Sequence, residues 1–272
     1  MTFLIAYPVI DPVLVSIGPL PIRWYALAYI VGLVLGWAYV RALAKNPALW
    51  RGTARPDGET IDDLLLYAAL GVVLGGRLGY VLFYNPAWYL AHPLDVVRVW
   101  EGGMSFHGGL FGAAVGVFLL ARKRAVSAFS LADLAAAAAP IGLFLGRLAN
   151  FIKPELWGRP GDVPWAMVFP GAGPAPRHPS QLYEAALEGL VLFALLYVVT
   201  RRGALARPGL VAGLFAIGYG CARIACEFFR EPDPQLGFLF GGATMGMLLS
   251  LPLIAVGAGL VAHALRREAV PA

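Results

Sequence analysis

Three arginines, Arg77, Arg147 and Arg223, stand inside three separate apolar stretches of this chain. A guanidinium in hydrocarbon costs roughly 3 kcal/mol on insertion scales. Three of them at a similar distance from the start of each stretch predict one buried cationic chamber. Arginine presents a planar fork of donors that matches phosphate oxygens in pairs. The chemistry predicted is capture of a phosphate, and at membrane depth its simplest source is a phospholipid head group.

Helical spacing enlarges the set. Arg147 and Asn150 are three residues apart, and Tyr219, Arg223 and Glu227 recur every four, so each group shares a helix face. Glu184 and Glu188 repeat the pattern. Tyr25, His107 and Glu184 fall near the start of stretches that run the other way, which brings them to the same level. Several of these residues carry a second reading. Arg77 either binds or ties helices together through a glutamate. Glu227 either joins the chemistry or neutralises Arg223. His107 either takes a proton or bonds a carbonyl at a helix start, and Tyr25 either lines the chamber or belongs to an aromatic belt. Glu184 and Glu188 either face the chamber or pair helices.

The elements that must position these groups follow from composition. The 272 residues are 59% hydrophobic and 14% charged, with a mean hydropathy of +0.71. A membrane span takes roughly 20 apolar residues. Seven stretches qualify, at about 22–44, 62–84, 103–121, 131–152, 180–200, 208–228 and 241–264. The expected fold is an all-α polytopic integral membrane protein with seven transmembrane helices, forming one catalytic domain over 1–272. The alternating segments of a β-barrel are missing. The N-terminus has no basic n-region or cleavage site, which argues against a secretory signal peptide. Cys221 and Cys226 point to different helix faces, which argues against a disulfide or a metal site.

Basic residues lie in short loops, which fits membrane topology better than nucleic-acid binding. Arg41, Lys45, Arg51, Arg55, Arg122, Lys123, Arg124, Arg201, Arg202, Arg207, Arg266 and Arg267 fall on one side. Positive loops mark the cytoplasmic face. The N-terminus is therefore expected outside, in the periplasm, and the C-terminus in the cytoplasm. Residues 85–102, with Trp88, Tyr89 and Trp100, predict an interfacial outer arm. Residues 153–179, rich in Pro and Gly, predict a small periplasmic cap. Small residues four apart, such as Gly71 and Gly75 or Gly112 and Gly116, predict close helix approach.

Longer strings are more specific. The chain carries SIGPLPIRWYAL at 16–27, LGGRLGYVLFYNP at 74–86, GGMSFHGGL at 102–110, GRLANFIKPELWGR at 146–159, RHPSQLYEA at 177–185 and IGYGCARIACEFFREPD at 217–233. Together they resemble the bacterial prolipoprotein diacylglyceryl transferases over nearly the whole length. The resemblance implies transfer of the sn-1,2-diacylglyceryl group from phosphatidylglycerol to the lipobox cysteine thiol of preprolipoproteins. A thioether forms and glycerol phosphate leaves, as the first step of lipoprotein maturation. It implies an enzyme of the bacterial inner membrane with its active site towards the periplasm. Its partners are phosphatidylglycerol and lipobox signal peptides, and neither cofactor nor metal is required.

Carried over residue by residue, the family's motifs match His107, Arg147, Asn150, Tyr25, Arg223 and Glu227 as catalytic candidates. Arg147, Arg223, Asn150, Tyr219, Glu155 and Gly158 are candidates for binding phosphatidylglycerol, with Arg77 added from its depth. Two departures stand out. Lys153-Pro154 replaces an expected Asn-Gly step, which adds a charge, removes a backbone donor and leaves the path of the cap open. Ala149 stands where glycine is expected. A flippase for an anionic substrate would also need membrane arginines, but its polar groups would reach both faces. A serine protease built on Ser105 and His107 is disfavoured, since residues two apart on a helix do not face each other.

Overall fold

The computed structural model describes residues 5–84, 86–232 and 237–266; the side chains of Leu20, Glu101, Phe106 and His107 lie outside the description. Arg267 and Asp233, part of the charge pattern and of the longest motif, also lie outside it. A short antiparallel hairpin opens the chain, β1 (Val13–Ile17) and β2 (Leu20–Arg23). Gly18, at φ 58°, supplies the left-handed residue its tight turn requires.

The hairpin leads directly into α1 (Trp24–Lys45). Then follow α2 (Gly58–Phe83), the short α3 (Pro86–Ala91), α4 (Phe106–Arg124) and α5 (Ala128–Ile152). After the cap come α6 (Ser180–Glu184), a π-helical turn (Ala185–Val191) and α7 (Leu192–Arg201), which run on as one helix. The chain closes with α8 (Leu210–Glu227) and α9 (Met245–Arg266).

Among the described residues, six helices are long and apolar enough to cross a membrane. They are α1, α2, α5, the continuous Ser180–Arg201 helix, α8 and α9. The seventh expected stretch, 103–121, forms α4 but is not among the six. Its 19 residues include His107 near the start and Arg122, Lys123 and Arg124 at the end, so its uninterrupted apolar run is shorter.

What α4 lacks in apolar run it makes up in contact. It lies against α2 with almost no side chain between them. A Cβ on Gly71 would stand 2.3 Å from the carbonyl oxygen of Gly112, and one on Gly75 would meet the carbonyl oxygen of Gly108 at the same distance. Glycine is the residue that permits this approach. The start of α4 is fixed as well. Ser105 donates its N–H to the Gly76 carbonyl (2.8 Å), and its Oγ accepts from the N–H of Gly108 (3.2 Å).

Two ends of the bundle differ in character. At one end the basic loops meet: Arg51 bonds the carbonyl of Arg202 and Thr53 that of Ala206, while Arg124 pairs with Glu59 and Asp63. Beneath them lies the largest aliphatic cluster, including Leu43, Trp50, Ile61, Leu120, Leu131, Leu134, Leu196 and Leu205. Towards the other end lie the polar side chains and the cap. The segment 153–179 contains no regular helix or strand and is held by isolated bridges such as Gly158 to Arg230 and Met167 to Arg177. Tyr7, Phe151, Met167 and Phe169 form its small core. Lys153 closes α5 through a 3.0 Å bond from its N–H to the Ala149 carbonyl, and Pro154, which lacks an N–H, ends the helix there.

Candidate functional site

The network at the capped end is built from three elements. α5 brings Arg147, the start of the Ser180–Arg201 helix brings Glu184 and Glu188, and the end of α8 brings Arg223, Glu227 and then Arg230. α8 is held at both ends. Asp133 of α5, fully buried, accepts from the backbone N–H of Gly209 (2.8 Å) and of Ala212 (2.7 Å), so one helix caps another. At the far end Arg159 of the cap donates to the carbonyls of Glu227 and Arg230, both at 2.9 Å. Arg147 and Arg223 are therefore set relative to each other by fixed backbone.

The two guanidinium groups meet on one carboxylate. Arg147 Nη1 lies 3.1 Å from Glu184 Oε2, and Arg223 Nη1 donates to Glu184 Oε1 at 2.6 Å. Arg230 Nη1 reaches the same Oε1 at 3.0 Å. Arg147 also holds Glu188 Oε2 through Nε (3.2 Å) and Nη2 (3.1 Å), and Arg223 pairs with Glu227 one turn away. Glu184 and Glu188 are fully buried. They stand at the junction of α6 with its π-helical turn, an irregularity frequent at functional sites.

This corrects the expectation of a cationic chamber. Three guanidinium groups face three carboxylates, because an uncompensated buried charge costs several kcal/mol. The fit is not complete, however. Glu184 Oε2 and Glu188 Oε1 are buried and meet Arg147 and Arg223 as ion pairs, at 3.1 and 3.7 Å, without hydrogen-bond geometry among the described residues. A cavity of about 20 Å³, room for about one water, opens beside Arg223, Glu227, Arg230 and Thr244; Arg147 is not part of its lining.

Beside the network is a second polar group. Asn150, on the face of Arg147, donates from Nδ2 to Glu155 Oε1 (2.8 Å) and to Tyr25 Oη (3.3 Å). Lys153 Nζ holds the other oxygen of Glu155 at 2.7 Å. The unexpected lysine thus neutralises an expected site glutamate. Tyr219 stacks on Phe215, with ring centroids 5.9 Å apart, at the edge of the aliphatic cluster. Gly158 is a packing joint: a Cβ there would stand 2.5 Å from the His178 carbonyl oxygen and 2.6 Å from that of Phe229. His107 lies in the first turn of α4, and its side chain is outside the description.

Arg77 does not join the others. It is 5% exposed, and among the described residues its hydrogen bonds all go to carbonyl oxygens, those of Asp95 (2.5 Å), Val96 (2.8 Å), Gly102 (2.5 Å) and Gly103 (3.1 Å), while its guanidinium lies over the Tyr89 ring at 5.2 Å. Among the described residues it has no glutamate partner and shares no chamber with the other two. A similar depth in a span does not mean a shared face, and α2 turns this side chain towards the arm.

The stripe read from the sequence stops at Glu227 and leaves out Arg230. The signal was present, since Arg223, Glu227 and Arg230 continue one stripe at helical spacing. His178 was missed too. Its Nδ1 lies 3.1 Å from Tyr183 Oη, its ring packs on Phe229 at 5.2 Å, and burial lowers its pKa.

Residues 12–263 match the family model described as prolipoprotein diacylglyceryl transferase. A phosphatidylglycerol–prolipoprotein diacylglyceryl transferase of Methylocella silvestris is 76% identical over 272 residues, covering 100% of both chains. One from Beijerinckia indica is 67% identical over 267 residues, 97% of each chain. One from Nitrobacter hamburgensis is 60% identical over 269 residues, 98% of this chain and 92% of the other. Motifs, network and similarity over the whole length agree, and the chain belongs to the prolipoprotein diacylglyceryl transferase family.

Proposed function

We propose that the charged network at the capped end carries out the transfer of a diacylglyceryl group from phosphatidylglycerol to a prolipoprotein. The observation that carries this assignment is the meeting of Arg147 and Arg223 on the two oxygens of Glu184. A site that holds one carboxylate between nitrogens of two guanidinium groups has donors suited to a phosphate. The lipid phosphate exchanges with part of the carboxylate set, so the arginines change one anion for another.

The reaction is substitution at a saturated carbon. The sulfur of the lipobox cysteine forms a bond to the glycerol carbon, and the carbon–oxygen bond to phosphate breaks. Glycerol phosphate leaves with the electron pair, and the thiol proton passes to a base. Charge grows on the departing phosphate, and preorganised donors in a dry site stabilise it. Arg147 and Arg223 supply those donors. Asn150, Tyr25 and Glu155 orient the head group, while Glu227, Tyr219 and Gly158 hold the frame. A free thiol has a pKa near 8.5, so only a few per cent of it is thiolate at neutral pH. Either His107 takes its proton or a neighbouring arginine lowers its pKa, and His107→Gln separates the two. Arg77 is assigned to hold the arm rather than the lipid.

The same reading makes 1–272 one catalytic unit in the bacterial inner membrane. α4 is its seventh span, and the basic loops face the cytoplasm. The network lies towards the periplasmic leaflet under the cap. Lipid and signal peptide enter sideways between helices, since both carry membrane-embedded segments.

Reconstitution with head-group- and acyl-labelled phosphatidylglycerol and a lipobox peptide tests the assignment. The acyl label is expected on the peptide cysteine and the head-group label in solution. Movement of lipid across the bilayer without a covalent product would replace the transferase with a flippase.

A further inference from the structure

A basic cleft lies at the other end of the bundle. The cleft between the end of α1 and the start of α2 has a volume of about 280 Å³ and is lined by Arg41, Lys45 and Arg55 over a floor of Ala44, Pro56 and Ile61. Its distance from Tyr25, along α1, is about 20 residues at 1.5 Å each, or roughly 30 Å. We propose that this cleft binds the phosphate of an anionic phospholipid, independently of the transfer reaction.

The charges that face it support this. Asp57, also in the lining, is committed to the first turn of α2, where it accepts from Thr60 N–H at 2.7 Å. Asp62 accepts from Trp37 Nε1 at 2.7 Å and pairs with Arg41 Nη1 at 3.5 Å. Arg55 spends Nη1 on the carbonyls of Ala44 and Lys45, both at 3.1 Å. Arg41 Nε is buried and bonds no acceptor among the described residues, although buried donors are normally satisfied. Gly58 leaves this guanidinium room against the start of α2, since a Cβ there would stand 3.1 Å from Arg41 Nη2. The positive end of the α2 dipole adds to the field.

The floor selects the source of the phosphate. Ala44, Pro56 and Ile61 are buried apolar residues that suit a glycerol backbone and the first acyl carbons, and a free anion would leave them unused. Basic clefts between membrane helices have this character where they hold anionic head groups. The assignment rests on the helices crossing a bilayer and not on the transferase mechanism.

The test uses the full chain in phosphatidylcholine nanodiscs, with phosphatidylserine titrated as the probe and retained lipid counted by native mass spectrometry. Lys45 sits on the exposed rim, so its replacement leaves the fold intact. Lys45→Gln is expected to weaken retention about fivefold and Lys45→Glu about 25-fold, with transfer turnover unchanged in both. Equal retention in wild type and both variants would overturn the proposal, as would equal retention of phosphatidylcholine. Inorganic phosphate binding with the same dependence on residue 45 would make this a free-anion site and overturn the lipid assignment.

Discussion

Arg77, 5% exposed, and the pair Arg147 and Arg223, whose side chains are 15% and 14% exposed, are three arginines of similar depth, solved in two ways. Arg77 is closed on backbone carbonyls, and these carbonyls cannot leave without unfolding the arm. Arg147 and Arg223 are closed on side-chain carboxylates. A carboxylate can rotate aside for another anion with the charge count kept in balance. Partner type, not burial, separates an arginine that holds structure from one that can exchange ligands. The same comparison explains why the glutamates lie among the arginines. They balance the charge of the arginines.

The largest effect is expected where the network has most in common. Glu184 touches Arg147, Arg223 and Arg230, and removing one partner from a buried ion pair costs about 3–5 kcal/mol. Glu184→Ala should lose stability on that scale in thermal unfolding, and wild-type stability would mean the pairing contributes nothing to the fold. Next come Arg147→Ala and Arg223→Ala, each expected to reduce transfer at least a hundredfold in folded protein, about the value of a preorganised donor. Turnover within a few-fold of wild type in either would remove that residue from the mechanism.

Arg77→Lys should behave in the opposite way. A lysine cannot reproduce four carbonyl contacts from a planar fork, so stability should fall by about 2 kcal/mol while kcat per folded molecule is retained. A large loss of kcat at unchanged stability would erase the contrast. The smallest effect belongs to His178. Its folded pKa is depressed by burial, so the unfolded chain binds more protons in that range and stability rises with pH. Stability should decline as pH falls from about 6.5 through the lower folded value, and His178→Gln should flatten that slope.

Most of the frame was legible because apolar length and loop charge act locally. The predicted 131–152 and 208–228 correspond to α5 and α8 within a few residues, and Asn150 shares its face with Arg147 as its spacing requires. Partner identity was not legible. Whether Arg77 meets a carboxylate or a carbonyl depends on how the arm folds back, which no periodicity records. Arg230 follows a stripe that sequence could have extended past the helix end. Asp133 gave no signal, because its partners are backbone N–H groups 76 and 79 residues away. Lys153, which leaves the path of the cap open in the sequence, is the counter-ion of Glu155.

The central claim is that phosphatidylglycerol phosphate exchanges onto Arg147 and Arg223. Equilibrium stabilisation by added phosphatidylglycerol, compared across wild type, Arg147→Ala, Arg223→Ala and Arg77→Lys, tests it most directly. The account predicts a concentration-dependent rise in Tm for wild type and Arg77→Lys, and a much weaker one when either network arginine is removed. A rise of equal size in Arg147→Ala and Arg223→Ala would contradict it.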